Sequence, residues 1–212
     1  MSNIFLTNDQ KKGYQEYLSK EIIEKDGAMY VGDELMVFAS QQSIMYEYAR
    51  TITEDGAKSV LEIGYGAGVF AEEVQKFEIK KHVIVECHNA IANHAIEKMN
   101  SRKKQLMCVT VINDLWQNTV QKLGKFDAIF YDSYSPTGHA VEDLLCFIDV
   151  AFSTLLNENG VFSFWYCASQ IHSEILHDLK NKSKTLTISM HESYNQDLSS
   201  KNKKYIIFKA KN

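Results

Sequence analysis

Glycine and acidic residues around two short apolar runs are the part of this sequence best suited to chemistry. The first apolar run, residues 60–63, leads into a glycine-rich turn, GYGAG at 64–68, and a second run ends in Glu86. Gly64 and Gly66 can adopt positive φ and let a ligand approach the backbone with no Cβ in the way. An acid after the second strand of a βαβ unit can accept hydrogen bonds from both hydroxyls of a ribose. The stretch predicts a nucleotide-binding βαβ unit, although a plain tight loop in another α/β protein would also use these glycines.

The acid inside the first run distinguishes between two kinds of nucleotide. Glu62 stands just before the turn, where it would repel a pyrophosphate but attract a ligand that carries a cation. The dinucleotide fingerprint G-x-G-x-x-G is also incomplete, because no third glycine stands in register. S-adenosylmethionine has an ammonium, a sulfonium and a ribose and no phosphate, so the electrostatics favour it over NAD. We expect Tyr65, within the turn, and Cys87, directly after Glu86, to line the same cofactor site.

Asp132 is the candidate catalytic residue, because it follows a strongly apolar run in the sequence Tyr-Asp-Ser-Tyr at 131–134. A carboxylate at the end of a strand can orient an amine or guanidine and later accept its proton. The alternative is a carboxylate that only caps the following segment. The Asn/Asp-Pro-Pro-Tyr motif of many enzymes that methylate exocyclic amines is absent, which disfavours a nucleobase acceptor.

A second polar and aromatic group follows the third predicted strand. Asp114 and Leu115 would contact the edge of an adenine, and the Trp116 indole would lie against its face. Trp116 would equally suit the core as an aromatic residue at a helix start. In an open parallel sheet, ligands gather at the carboxyl ends of the strands. We therefore expect all of these residues to meet at one edge of the sheet.

The hydrophobic pattern from residue 55 onward predicts the elements that must bring these residues together. Strands are expected at 59–64, 82–86, 106–112, 126–131, 161–166, 185–192 and 204–209. Helices are expected at 69–77, 91–99, 115–123, 141–156 and 171–180. Repeated β/α units imply a parallel sheet covered on both faces, and the short last connection requires an antiparallel strand. We predict an α/β fold with a Rossmann-like, seven-stranded, mostly parallel sheet, helices on both faces and an antiparallel C-terminal hairpin.

Residues 1–54 do not follow this alternation and are predicted to be an extension of the nucleotide-binding domain at 55–212. Their pattern indicates an amphipathic helix at 10–24, hairpin strands at 28–31 and 34–37, and a helix at 40–50 capped by Ser40. The extension either closes over the nucleotide turn as a short helical lid or simply covers the sheet.

Composition disfavours several classes of partner. The 212 residues carry a formal net charge of −4, which argues against a nucleic-acid substrate, because neutralising phosphates needs a basic face. The four cysteines form no CxxC pair and the histidines lack ligand spacing, so we expect no metal and buried free thiols in a reducing compartment. Neither a signal peptide nor an apolar stretch of membrane-spanning length is recognisable. A cytoplasmic location without a membrane partner is expected.

The motifs together resemble guanidinoacetate N-methyltransferases and the related protein-arginine δ-N-methyltransferases. The similarity covers roughly residues 29–169 and includes VLEIGYG, IKKHVIVEC, DLW and FDAIFYDSY in the same order and spacing. It implies a class I methyltransferase with cofactor contacts at Glu62, Gly64, Gly66, Glu86 and Trp116. It also suggests that Asp132 is the acceptor carboxylate, that Tyr134 and the backbone around Cys167 and Ala168 face the acceptor, and that a homodimer is possible.

One position departs from this resemblance. The family pattern L-M-x-W-E places an acid in the N-terminal segment, whereas Ala39 ends the corresponding LMVFA here, and Glu34 and Glu47 are out of register. A planar guanidinium prefers two carboxylates, and only Asp132 remains. We predict an N-methyltransferase acting on a small amine or guanidino-type molecule. An enzyme that uses the cofactor's aminobutyryl group and releases methylthioadenosine, and a non-catalytic S-adenosylmethionine-binding protein, stay open as alternatives.

Overall fold

The structure is a computed structural model that describes residues 6–26, 28–38, 41–101, 108–166, 171–193 and 203–212. The described chain begins with α1 (Asn8–Leu18) and an antiparallel three-stranded sheet of β1 (Ile22–Lys25), β2 (Ala28–Val31) and β3 (Glu34–Phe38). The elements that follow are α2 (Gln42–Thr53), β4 (Ser59–Ile63), α3 (Val69–Val74), β5 (Lys81–Glu86), α4 (Asn89–Ser101) and β6 (Cys108–Asn113). The remaining elements are α5 (Trp116–Thr119), β7 (Phe126–Tyr131), α6 (Ala140–Val150), β8 (Leu156–Phe164), α7 (Ser173–Lys182), β9 (Thr185–Ser193) and β10 (Lys203–Lys211).

The later strands form one seven-stranded sheet in the order β6-β5-β4-β7-β8-β10-β9. The pairs β4–β5, β4–β7, β5–β6 and β7–β8 are parallel, and β10 is antiparallel to both of its neighbours. The order reverses between β4 and β7, which is the point where open parallel sheets leave a crevice for ligands. The predicted Rossmann-like sheet with an antiparallel C-terminal hairpin is confirmed.

Helices cover both faces of this sheet, because alternate strand residues point to opposite sides. One face of the sheet presents Val60, Ala128 and Phe130 to α2 and α3. The other presents Leu61 and Ile129 to a core that includes residues of α6 and α7. Since residues of α2 belong to the first of these cores, part of the N-terminal segment packs against the main sheet. A domain boundary at residue 54 stays a prediction.

Several predicted element boundaries are wrong, each for a local reason. The helix predicted at 10–24 ends at Leu18, because the next apolar residues pair with β2 as strand β1. The helix predicted at 141–156 closes with a π-helical turn at Ala151–Leu155, and β8 begins at Leu156 because that residue pairs with Phe126. Ser40, the predicted helix cap, and residues 106 and 107 of the third predicted strand lie outside the described residues.

Two expectations from composition concern the surface. Cys108 is exposed, so the expectation of a buried thiol is wrong for it, whereas Cys87 and Cys146 are partly buried and Cys167 lies outside the described residues. Within the described ranges, no helix has the length and apolar character that crossing a bilayer requires.

A polar cluster fixes α1 against the loop that follows β7. Asp143, near the start of α6, accepts hydrogen bonds from Gln10 Nε2 at 2.7 Å and from Tyr14 Oη at 3.2 Å, both on α1. It also accepts one from Ser135 Oγ of the loop, and Gln117 Nε2 donates to Tyr14 Oη at 3.2 Å. Burial raises the pKa of Asp143, and the hydrogen bonds from Ser135 and Tyr14 oppose that rise. The cluster holds α1 beside the carboxyl ends of the main strands.

Replacing Asp143 with alanine leaves the buried Gln10 amide without its acceptor and leaves Tyr14 Oη only the longer contact of 3.4 Å with Tyr134 O. We expect a loss of about 2–3 kcal/mol in the free energy of unfolding, because buried unpaired donors keep their desolvation cost. Urea denaturation measures the loss, and limited trypsin digestion measures opening of α1. Asp149→Ala, on the same helix, removes a partly exposed ion pair of 2.8 Å with Lys182 and should cost below about 1 kcal/mol. Equal losses for the two variants would contradict the anchoring role of Asp143.

Candidate functional site

A cleft lies at the carboxyl ends of β4, β5 and β7, where the strand order reverses. Its empty volume, including the open mouth, is about 820 Å³. Every predicted catalytic or cofactor-binding residue borders it: Glu62, Gly64, Tyr65, Gly66, Glu86, Cys87, Asp114, Leu115, Trp116, Asp132 and Tyr134. The fold brings these residues together, and their roles toward a ligand stay predictions.

The turn after β4 is held closely between the two neighbouring strand ends. Gly64 N donates to Val85 O of β5 at 2.8 Å, and Asp132 N donates to Ile63 O at 2.8 Å. The φ angle is +87° at Gly64 and +54° at Gly66. A Cβ added to Gly64 would clash with the carbonyl oxygen of Asp132. Glycine is therefore required at this position by both the backbone angle and the close approach of β7.

Glu86 organises the same turn from the end of β5. Its Oε2 accepts a hydrogen bond from Tyr65 N at 2.9 Å, and its Oε1 accepts one from His88 N at 2.7 Å. Burial raises the pKa of Glu86, and the backbone donors oppose that rise. Cys87 follows, and burial raises the pKa of its thiol, so that it borders the cleft as a neutral group. Glu86 is held rigidly at the wall where an acid for a ribose is predicted.

Four carboxyl groups border this one cleft: Glu62 and Glu86 are buried, and Asp114 and Asp132 are partly buried. Burial is the main cause that raises the pKa of Glu62, and the charge of Glu86 adds to it. Burial, followed by the charges of Glu62 and Glu86, raises the pKa of Asp132 to about 7. No lysine or arginine is among the described residues that line the cleft. The cleft is therefore suited to a ligand that brings positive charge.

The end of β6 and the start of α5 supply another wall. Asp114 Oδ1 accepts hydrogen bonds from Leu115 N and Asn118 Nδ2, each at 2.7 Å. The Trp116 ring is buried and packs edge-on against Phe147, with 5.2 Å between ring centroids. It also lines the cleft. Trp116 is therefore both a core residue and a residue of the cleft wall.

Tyr17, which the sequence patterns did not single out, covers the cleft from α1. Its ring stacks on Tyr134 with 3.7 Å between centroids and 9° between planes. It also packs edge-on against His88 at 5.5 Å. His88 is buried, with Nε2 at 3.0 Å from Lys20 O, so it supports the N-terminal segment and does not border the cleft. The helical spacing of apolar residues in the first helix placed Tyr17 on its buried face. That spacing could not predict that Tyr17 stacks on Tyr134.

Asp132 also borders a second cavity. This cavity has an empty volume of about 770 Å³, including its open side. Its lining combines aromatic and polar side chains, among them Ser133, Ser135, Trp165, Tyr166 and His172. Asp132 and Ser133 line both spaces, so a molecule in either one meets the same carboxyl group.

Two further described residues border neither cavity, and several other residues lie outside the described part of the chain. His139 precedes α6 and lines neither space. Glu47, which is out of register with the missing acid, pairs with Arg50 at 2.8 Å. Ala39, Cys167, Ala168 and the side chain of Glu34 lie outside the described part of the chain. Among the side chains that the structure describes, no group of three or more His, Cys, Asp or Glu could hold a metal ion.

Several known proteins are similar to this chain. A family model described as guanidinoacetate N-methyltransferase matches residues 20–202. Protein arginine N-methyltransferase 2 of Candida glabrata is 35% identical over 116 residues, which cover 52% of this chain and 26% of that protein. The chain spans 26% to 39% of the length of seven curated relatives that it matches.

Two solved structures show the same fold at low identity. Spermidine synthase from Thermotoga maritima has a TM-score of 0.65 and 18% identity, covering 91% of this chain and 68% of that one. The N-methyltransferase NodS from Bradyrhizobium japonicum WM9, in complex with S-adenosyl-L-homocysteine, has a TM-score of 0.60 and 14% identity, covering 97% and 99%.

The sheet order and the acid-lined cleft, together with these similarities, place the protein in the class of Rossmann-like S-adenosylmethionine-dependent methyltransferases. The residues present fit the cofactor of that class, because Glu62 and Asp132 suit its cationic groups and Glu86 suits its ribose. Within the class, the chain belongs to the guanidinoacetate N-methyltransferase family. The resemblance predicted from the motifs is confirmed.

Proposed function

We propose that this chain transfers a methyl group from S-adenosylmethionine to a nitrogen atom of an amine or guanidine. The observation that carries the proposal is the cleft bordered by Glu62, Glu86 and Asp132 with no described basic side chain in its lining. Such a group of carboxyls favours ligands that bring positive charge, as both a sulfonium cofactor and a protonated amine do. When bound, the cofactor would supply an electrophilic methyl group on its sulfonium.

The walls of the cleft would hold the cofactor through separate residues. Glu62, next to the glycine turn, would face the ammonium group. Glu86, whose oxygens are fixed by backbone amides, would accept hydrogen bonds from the ribose. Asp114 and Trp116 would border the adenine, and the glycines would let it approach the backbone.

Asp132 would orient the acceptor. Because it borders both the cleft and the second cavity, an acceptor in the second cavity would present its nitrogen at the edge of the cofactor cleft. The pKa of about 7 suits a group that accepts a proton from that nitrogen near neutral pH. Tyr134 lines the cofactor cleft and not the second cavity, so it would meet the acceptor nitrogen where that nitrogen enters the cleft.

A small molecule is the acceptor that we propose. The second cavity, with an empty volume of about 770 Å³ including its open side, has the size of a small-molecule pocket. A protein arginine side chain is the alternative, because the curated relatives are named protein arginine N-methyltransferases. Both acceptors carry a nitrogen that Asp132 would hold. A cytoplasmic location and a homodimer also stay predictions.

Two other uses of the cofactor are distinguishable by their products. Transfer or cyclisation of the aminobutyryl group would release methylthioadenosine, and a non-catalytic binding protein would release nothing. The likeness to spermidine synthase, at 18% identity, concerns the fold and does not favour the first of these.

Mass spectrometry of the products tests the proposal. The protein is incubated with S-adenosylmethionine alone, with a panel of small amines and guanidines, and with arginine-containing peptides. S-adenosylhomocysteine together with a methylated small molecule supports the proposal, and a methylated peptide would replace the small acceptor by a protein. Methylthioadenosine, or bound cofactor with no product after long incubation, would contradict methyl transfer.

A further inference from the structure

A buried histidine behind Glu62 is left without a role by the proposed function. His82 Nε2 lies 2.8 Å from Glu62 Oε2, and the two side chains are 0% and 1% exposed. On the other side of the ring, His82 Nδ1 lies 3.5 Å from Gln75 Nε2. Gln75 stands at the end of α3 and is only partly buried, whereas Glu62 borders the cleft. The three side chains connect the cleft to a partly exposed position outside it.

We propose that His82 and Gln75 form a proton relay, which carries the proton of Glu62 out of the buried site when a cationic ligand enters the cleft. His82 is then a positioning residue that acts through Glu62. The inference rests on the proposed function in one respect, namely that the ligand's ammonium group faces Glu62.

The surroundings of Glu62 and His82 favour the neutral form of both side chains in the free protein. Burial and the charge of Glu86 raise the pKa of Glu62, and burial lowers the pKa of His82 to about 3. The titratable groups that act on Glu62 are Glu86 on β5, Asp132 after β7 and His82 itself. The helices α3 and α4 contribute neutral groups to the path, Gln75 and the Met99 sulfur that it contacts at 2.8 Å. A cation in the cleft would reverse this balance, because it stabilises the carboxylate.

The transfer balances with one proton. In the free protein, the Glu62 carboxyl would hold the proton 2.8 Å from His82 Nε2, and the Gln75 amide would be turned so that its oxygen accepts from His82 Nδ1–H. When the cation enters, the Glu62 proton passes to Nε2 and the Nδ1 proton leaves past Gln75 to solvent. The products are a carboxylate, a neutral imidazole in its other tautomer and one proton in solution. The Gln75 amide offers both a donor and an acceptor, so it can pair with Nδ1 in either tautomer.

Isothermal titration calorimetry with S-adenosylhomocysteine, in buffers of different ionisation enthalpy, counts the protons released on binding. We expect Glu62→Gln to abolish the release of about one proton per ligand near neutral pH. Asp132→Asn removes the acid whose pKa is raised to about 7, so protons are counted in the Asp132→Asn background, where release from Glu62 should persist and Glu62→Gln should abolish it. His82→Phe should lower the affinity at least about tenfold and lose the release, since Glu62 then has no partner in either protonation state. His177→Phe, an exposed histidine of α7 remote from the cleft, is the matched control and should behave as wild type.

Gln75→Leu keeps the test decisive where His82→Phe does not fold. This variant should bind at least about threefold more weakly and release fewer protons, because one tautomer of His82 loses its partner. Proton release that persists when Glu62→Gln is combined with Asp132→Asn, or wild-type affinity and release in both relay variants, would overturn the relay. Binding of S-adenosylhomocysteine without proton release would overturn the relay and leave the proposed function standing, whereas no binding at all would overturn both.

Discussion

Replacing Asp132 with asparagine is expected to lower kcat for methyl transfer by about 10²–10⁴-fold. The amide keeps the size of the side chain but cannot take a proton from the acceptor nitrogen and carries no charge to orient it. The Kd for the cofactor should change far less, because Glu62 and Glu86 remain in the same cleft. Single-turnover rates and equilibrium titration measure the two effects separately.

Asp114→Asn is the matched control for this substitution, because it changes another acid that lines the same cleft. Its effect on kcat should be much smaller than that of Asp132→Asn, since Asp114 does not border the second cavity. A kcat that is unchanged in Asp132→Asn, or lowered equally in both variants, would contradict the assignment of Asp132 to the acceptor.

Asp132→Asn should also stabilise the free protein at alkaline pH. The pKa of Asp132 is raised from 3.8 to about 7, so the folded state holds this proton more tightly than the unfolded chain does. The stability due to this proton is fully present below the unfolded pKa and is lost as pH rises through the folded pKa. Near pH 8, Asp132→Asn should therefore add about 2 kcal/mol to the free energy of unfolding, about half of the full shift because the carboxyl group meets the open cleft. Urea denaturation should show a much smaller gain near pH 4, and equal gains at both pH values would contradict the raised pKa.

Gly64→Ala is expected to have the largest effect on stability among the predictions, with a loss of about 3 kcal/mol or more in the free energy of unfolding. Positive φ costs a residue with a Cβ about 1–2 kcal/mol, and the clash with the Asp132 carbonyl oxygen adds about 1–3 kcal/mol for overpacking. Cofactor affinity should fall as well, since the turn cannot keep its position between β5 and β7. Denaturation and cofactor titration measure the two losses.

Gly56 provides a matched control for that substitution. Its φ is also +87°, but no heavy atom lies within 4 Å of an added Cβ. Gly56→Ala should therefore cost only the backbone strain, about 1–2 kcal/mol. The difference between the two losses in the free energy of unfolding measures the cost of the close approach between β4 and β7. Equal losses would show that the clash is relieved without cost.

The sequence alone was sufficient for the sheet and for most of the cleft, because both depend on short-range patterns. Apolar runs that alternate with amphipathic segments imply a parallel sheet, and the carboxyl ends of parallel strands necessarily share an edge. A glycine turn, Glu86 and Asp132 each stand directly after such a run, so their place at that edge followed from local order. The acid before the turn predicted a ligand that carries a cation.

Only the tertiary structure decided which distant side chains meet. Helical spacing at residues 10–24 was compatible with one long helix, and pairing of Ile22–Lys25 with β2 ended it at Leu18. The stack of Tyr17 on Tyr134 and the cluster around Asp143 join residues more than a hundred positions apart. The burial of His82 beside Glu62 depends on the register between β4 and β5. Such contacts depend on the packing of elements that are far apart in the chain, and local sequence patterns contain no information on that packing.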